Sequence, residues 1–380
     1  MLSILVGTSV CSATDPVVGS GYSSAAAFIE GEQIRLINTA ISELETLAAT
    51  GDWPDTTLSQ ELRPGLRHED VRTLRKILQL TGDFDGYVNA DPLLFDATLS
   101  NVLKHFQARH GLDTSGLPDR LTRLALSRSP AEKVQHLKKA RTAWIEIPAY
   151  DRQKLVWVNI PETRVSAIAD SKVELNLPAI VGQPSRPTPT LFSNINRLIV
   201  NPGWSVPDSI ARQDLLPEQQ ENPEYFAENN IRVFRGWAKD SKEIDPATVN
   251  WESLSEDRFP YRLQQDAGIN NALGRYKFSF PNEHDIFLHD TPAKKLLGLS
   301  YRSLSSGCVR MDQPEALARW LLQDPAPLDA ALAEDPDLTQ GLSVSPATPV
   351  AFVYLIAWVE NDGTVHLRND IYSLNNGPIK

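Results

Sequence analysis

The run Ser305-Ser306-Gly307-Cys308-Val309-Arg310-Met311 places a thiol beside a glycine, just ahead of a helix expected from about Pro314. The positive end of a helix and nearby cations lower a thiol's pKa from about 8.5 and raise its thiolate fraction. Gly307 lets the chain turn sharply and brings N–H groups toward a reacting carbonyl, as an oxyanion hole requires. His289 lies upstream and ends the apolar run Ile286-Phe287-Leu288, so a strand there presents it at a sheet rim. Thiolate plus imidazole is the usual pairing for cysteine acyl transfer. On residue types alone, a catalytic pair competes evenly with a small buried cysteine and a hydrogen-bonded loop histidine.

The elements that must position this pair follow from periodicity. From Gln153 onward the pattern has period two: 154–160 and 164–169 flank Pro161-Glu162-Thr163 as a hairpin, and 173–177 and 195–200 continue it. Strands resume at 277–280 and 286–289, a helix runs from Pro314 to Leu322, and the apolar run 350–359 with 366–371 closes the sheet. Residues 208–272, polar and aromatic with Trp237, Trp251 and Tyr261, interrupt the rhythm and read as an insertion acting as a lid.

Upstream, Ile34, Ile37, Ile41, Leu44 and Leu47 mark one amphipathic helix over 25–50, stopped by Gly51 and Pro54. A helical block follows over 63–128, with apolar stripes at Val71, Leu74, Leu78 and Leu80, at Leu99, Val102, Leu103 and Phe106, and at Leu121, Leu124 and Leu126. Another helix, 130–147, turns Val134, Leu137, Ala140, Trp144 and Ile147 inward, with Lys133, Lys138, Lys139 and Arg141 as its solvated side. His68, His105 and His110 show no metal-ligand spacing and are read as surface or core residues.

Two family resemblances rest on these residues. Gly65-Leu66-Arg67-His68-Glu69-Asp70-Val71, Phe106-Gln107-Ala108-Arg109-His110-Gly111-Leu112 and Leu121-Thr122 resemble the three-helix peptidoglycan-binding domain. His289-Asp290-Thr291-Pro292 followed by S-S-G-C-V-R-M is similar to the signature of the L,D-transpeptidase family. The segments 181–189, 201–207 and 273–278 resemble its other elements in the same order. The implied fold is multi-domain, α plus mainly β. It comprises a helical scaffold (25–62), a peptidoglycan-binding-like domain (63–128), a helical linker (129–150), and a β-rich catalytic domain (151–380) carrying the 208–272 lid.

The resemblance implies that Cys308 is the nucleophile and His289 the general base and then acid, its ring oriented by the Asp290 carbonyl. Main-chain N–H groups at Gly307 and Cys308 hold the oxyanion. Arg310 either binds a substrate carboxylate or forms a structural salt bridge, while Ser306 and Tyr276 are further substrate-binding candidates. The donor is a tetrapeptide stem that releases D-Ala, and the acceptor is diaminopimelate of another stem. No metal or organic cofactor is implied, and carbapenems are expected to acylate Cys308. Peptidoglycan stem peptides, with other cell-wall synthases, are the expected partners. Alternatives are an L,D-carboxypeptidase or cross-link hydrolase, a lipoprotein-anchoring enzyme, or a non-catalytic wall-binding protein.

Composition bounds these readings. The 380 residues carry 37 Lys plus Arg against 48 Asp plus Glu, a net charge of −11, which argues against a nucleic-acid or anionic-lipid footprint. Two cysteines exclude a disulfide scaffold and a four-thiolate zinc site. The run 350–359 is about half the ~20 residues a membrane-spanning helix needs. Leu2–Val10 followed by Cys11-Ser12-Ala13, with no Lys or Arg before Arg35, reads as an incomplete or mis-started export signal and points to the periplasm.

Overall fold

The computed structural model describes residues 30–58, 61–84, 91–148, 154–170, 172–236, 238, 240–335 and 337–374. The export-signal reading, Cys11 and Trp237 therefore lie outside the described residues.

Five helices open the chain: α1 (Glu30–Thr50), α2 (Glu69–Leu80), α3 (Ala97–Arg109), α4 (Arg120–Ser127) and α5 (Pro130–Ile145). Each of α2 to α5 starts on a side chain that accepts an otherwise unpaired N–H: His68, Asp96, Asp119 and Ser129. Such caps contribute about 1 kcal/mol each. Helices α2 to α4 bury Val71, Leu74, Ile77, Leu99, Leu103, Phe106 and Leu126 in one core. The stripe expected on α4 is partly wrong: Leu121 and Leu124 are exposed, and Thr122 and Ala125 turn inward. A polar staple causes this, because Gln107 Nε2 donates to Thr122 Oγ1 at 3.0 Å and to the Leu117 carbonyl at 2.8 Å. Two of the three histidines singled out earlier are structural, His68 as the α2 cap and His110 buried and stacked on Phe106.

The second half is built on β1 (Lys154–Asn159), β2 (Arg164–Ala169), β3 (Lys172–Gly182), β4 (Leu191–Val200), β5 (Trp204–Ser205), β6 (Ile231–Arg235), β7 (Glu243–Ile244), β8 (Tyr261–Gln265), β9 (Tyr276–Ser279), β10 (Leu288–His289), β11 (Ser303–Ser305), β12 (Val309–Met311), β13 (Gln340–Val353), β14 (Ala357–Val359) and β15 (Val365–Leu367). The large sheet runs β11-β3-β12-β10-β9-β4-β13-β1-β2, and β2 also pairs with β3, so it closes into a barrel with β11 alongside. Closure removes the exposed strand edges that an open sheet would carry. Alternate residues fill the interior, among them Val156, Val158, Leu198, Phe278, Val309, Met311 and Phe352.

The outer face of β1 explains the helical scaffold. Leu155 and Trp157 point away from the barrel and pack with Ile37, Leu137 and Trp144 of α1 and α5, the two tryptophan rings stacked at 5.7 Å. The strand expected at 366–371 does not close the sheet. β15 pairs only with β14, and this hairpin packs against the helices. Gln33 of α1 donates to the Val359 carbonyl, and Arg109 of α3 donates to that of Val365. Lys133, expected on the solvated side of α5, is only 4% exposed.

The inserted segment has its own architecture. Strands β5-β8-β6-β7 form a separate sheet over a core of Val206, Phe226, Trp251, Tyr261 and Leu263, so the insertion starts ahead of the expected residue 208, at Trp204 of β5.

Candidate active site

Strand pairing sets one row of side chains. His289 pairs with Lys277 across β9–β10 and with Arg310 across β10–β12. Paired residues share a face, and β-strand alternation puts Cys308 on the side of Arg310 while Val309 and Met311 enter the barrel core. Lys277, His289, Cys308 and Arg310 all line one cavity of about 1230 Å3, walled on its far side by Trp204, Asp214 and other residues of the insertion.

The Cys308 loop is held by a buried hydrogen-bond network. Thr188 Oγ1 donates to the Gly307 carbonyl at 2.6 Å and accepts from the Gly182 N–H at 2.8 Å. Tyr372 Oη donates to the Gly182 carbonyl at 2.7 Å and accepts from the Thr188 N–H. Ser305 Oγ donates to the Cys308 carbonyl at 2.6 Å and accepts from the Gly307 N–H at 3.2 Å. Gly307 sits at φ +118, a conformation that requires glycine, and a Cβ there would also crowd the Ile286 side chain at 3.3 Å. At Gly182 a Cβ would lie 2.3 Å from the Arg186 carbonyl.

The resting charge state differs from the sequence expectation. Burial pushes the Cys308 thiol up to about 11, and the cations Lys277 and Arg310 only partly offset that. The expected activation by a following helix fails because β12 separates Cys308 from the helix Pro314–Leu321. Burial, then the Arg310 charge, then Lys277 push His289 down to about 3. Burial therefore favours the neutral form of each group. The thiol faces the Asp285 carbonyl at 3.9 Å.

The expected site residues divide. Cys308, His289, Arg310 and Ser306 line the cavity. Arg310 makes no salt bridge among the described residues, and its Nε is buried without a hydrogen-bond partner, so the structural-bridge reading of Arg310 loses its support. Ser306 Oγ accepts from Arg186 at 2.9 Å, and the same guanidinium holds Asp214 of the insertion at 2.5 Å. Tyr276 does not reach the cavity. It is buried in the barrel and its hydroxyl donates to Glu315, because alternation along β9 gives the cavity face to its neighbour Lys277.

Gly307 spends its own N–H on Ser305, which corrects its expected part as an oxyanion donor. Asp290 acts through its carboxylate, which accepts from the N–H groups of Arg275 (2.8 Å) and Thr291 (2.7 Å) and pairs with Lys294. The main chain of Asp290 also bears on the imidazole, as expected, and with that of Leu273 it favours the protonated ring against the larger effect of burial. Arg186, Thr188 and Lys277 lie in segments that carried the family resemblance but had no role assigned from sequence, and Tyr372 was not singled out. Alternation at 276–279 was the further signal, pointing to Lys277. Among the described residues no group of three or more His, Cys, Asp or Glu is placed to hold a metal ion.

A β-barrel with an imidazole on one strand and a thiol in the turn entering the next defines the class. The chain belongs to the L,D-transpeptidase family: the catalytic-domain model of that family matches residues 153–350, just over half of the chain. A peptidoglycan binding domain model matches residues 67–126. A Haemophilus influenzae protein named for the L,D-transpeptidases is 37% identical over 221 residues, 57% of this chain and 44% of its own length. The match thus spans less than half of that relative. Solved L,D-transpeptidase structures are more distant. That from Stackebrandtia nassauensis is 12% identical over 78% of this chain and 96% of its own, with a TM-score of 0.29. That of L,D-transpeptidase 3 from Mycobacterium tuberculosis with a faropenem-derived adduct is 12% identical over 53% and 60%, with a TM-score of 0.26.

Proposed function

We propose that the protein is a peptidoglycan L,D-transpeptidase of the periplasm that cross-links stem peptides through a Cys308 thioester. The observation that carries this reading is the placement of His289 on β10 and of Cys308 in the turn leading into the adjacent β12, both lining one cleft beneath the insertion. Cys308 Sγ attacks the carbonyl joining diaminopimelate to D-Ala, and His289 takes the thiol proton. The C–N bond breaks, and His289 returns that proton to the D-Ala amine as it leaves. The acceptor amine of a second stem's diaminopimelate then attacks the thioester, passes its proton to His289, and frees Cys308 as thiolate to be reprotonated. The proton moves as the nucleophile attacks, so a free thiolate need not accumulate beforehand. With the Gly307 N–H engaged, the Cys308 N–H is the donor assigned to the oxyanion. Arg310 supplies a cation for a substrate carboxylate, and the insertion serves as the lid that excludes water and favours an amine acceptor.

Two measurements test this. Incubation with a carbapenem is expected to add one drug mass on Cys308, seen by intact-protein mass spectrometry, and Cys308→Ala is expected to lose it. Expression in a host followed by muropeptide analysis is expected to yield diaminopimelate–diaminopimelate dimers. Accumulation of shortened tripeptide stems without dimers would instead establish hydrolysis.

A further inference from the structure

A second cavity, of about 930 Å3, opens away from Cys308 where α1, α5, the α2–α3 side of the small helical block and the β14–β15 hairpin meet. Leu44, Leu47, Phe84 and Val102 give it apolar walls. In its lining is Lys133, 4% exposed, whose Nζ is buried without a hydrogen-bond partner and lies 4.4 Å over the Trp53 ring. No ion pair joins Lys133 to any described residue. Two acids bear on it, and both are engaged elsewhere: Asp83 is held by Arg109 through two bonds at 2.6 and 2.5 Å, and Glu132 accepts from Ser129 in the α5 cap. Burial, with Arg109 and Arg128 nearby, brings the Lys133 ammonium down to about 7.

A buried ammonium without a counter-charge is unfavourable by several kcal/mol, about what a carboxylate entering the cavity would recover. The rim has the opposite sign: Glu43 and Asp362 line the same cavity and are exposed. A cationic floor, apolar walls and an acidic rim together suit a ligand bearing a carboxylate, small apolar groups and an ammonium.

We propose that this cavity is a second, non-catalytic muropeptide site, in which Lys133 takes a stem-peptide carboxylate and Glu43 and Asp362 face the diaminopimelate ammonium. The proposal rests on peptidoglycan being the substrate. Because the lining comes from the scaffold, the small block and the catalytic part, bound muropeptide ties the three together and stabilises their arrangement by mass action.

The test is calorimetric titration of the full chain carrying Cys308→Ala with a diaminopimelate-containing disaccharide tetrapeptide. Two sites per chain are expected. Lys133→Met is expected to weaken one at least tenfold, and so is Asn101→Trp, which fills the mouth from an exposed position. The same probe with amidated carboxylates is expected to lose that site and to weaken the catalytic one, where Arg310 takes a carboxylate, whereas the two variants affect the second site alone. With Cys308 present, both variants are expected to be acylated by a carbapenem at a rate within twofold of the parent, which shows that fold and cleft are intact. A single site untouched by either variant overturns the second site and leaves the catalytic reading standing. Absence of all binding overturns both.

Discussion

At the level of single residues, the site is defined by two cations flanking a neutral imidazole. Lys277 and Arg310 sit on either side of His289 in strand register, and their charges add to burial in holding its pKa near 3. His289 is therefore expected to stay neutral across pH 5–8, measured by NMR chemical shift of its labelled ring; a titration midpoint near 6.5 would refute this charge state. The same Lys277 charge favours the Cys308 thiolate. Lys277→Met is then expected to raise the midpoint of Cys308 alkylation by roughly one pH unit, with Lys277→Arg restoring it. An unchanged profile for Lys277→Met would mean that the ammonium, 3.8 Å over the Phe287 ring, only packs.

At the level of elements, two devices hold the cleft. The first is the tight approach of the 183–188 turn to β3. Gly182→Ala would drive a methyl to 2.3 Å from the Arg186 carbonyl and displace Thr188, which fixes the Gly307 carbonyl. A loss of about 2–3 kcal/mol is expected, read as a lower thermal midpoint together with slower carbapenem acylation. The second is Arg186, which joins Ser306 of the nucleophile loop to Asp214 of the insertion. A half-exposed ion pair of this kind contributes little to global stability, about 0–1 kcal/mol. Arg186→Ala should therefore leave the melting temperature almost unmoved while hydrogen exchange in 208–221 accelerates severalfold. Exchange that stays at the parent rate would remove Arg186 as a latch between insertion and loop.

For the whole molecule, buried neutral histidines set the acid response. His110, His289 and His366 all have folded pKa values depressed by burial. The unfolded chain binds protons near pH 6.5, the folded one does not, so stability is full above that value and declines as pH falls below it. Each such histidine adds to the loss, because the unfolded ring takes up a proton that the folded one does not. Lys133 acts in the same sense between about 7 and 10.5, and Glu162, raised by burial, opposes it at lower pH. Denaturant midpoints are expected to fall steadily from pH 7 to pH 5, and a flat response would contradict the buried neutral state. His110 and His366 belong to the contact between the small helical block and the hairpin β14–β15, where Arg368 donates to the Arg109 carbonyl at 2.7 Å. Acid is therefore expected to loosen that contact as well as the barrel.

What the sequence determined by itself were the local and short-range facts. Helical spacing and caps fixed the helices, period-two runs fixed most strands, and the Ser305–Met311 run with His289 pointed to thiol–imidazole chemistry. Tertiary structure decided everything that depends on which strand lies beside which. Only β10 lying between β9 and β12 brings Lys277, His289 and Arg310 into one row, although they are separated in sequence and no local spacing encodes it. Burial was equally illegible. The depth that neutralises Cys308 and His289, and that strands Lys133 without a counter-charge on a helix face expected to meet water, comes from elements folded over them from far along the chain. Alternation was visible at Tyr276 and Lys277, but which of the two faces was the inside was set by barrel closure, and that put the tyrosine in the core and the lysine in the cleft.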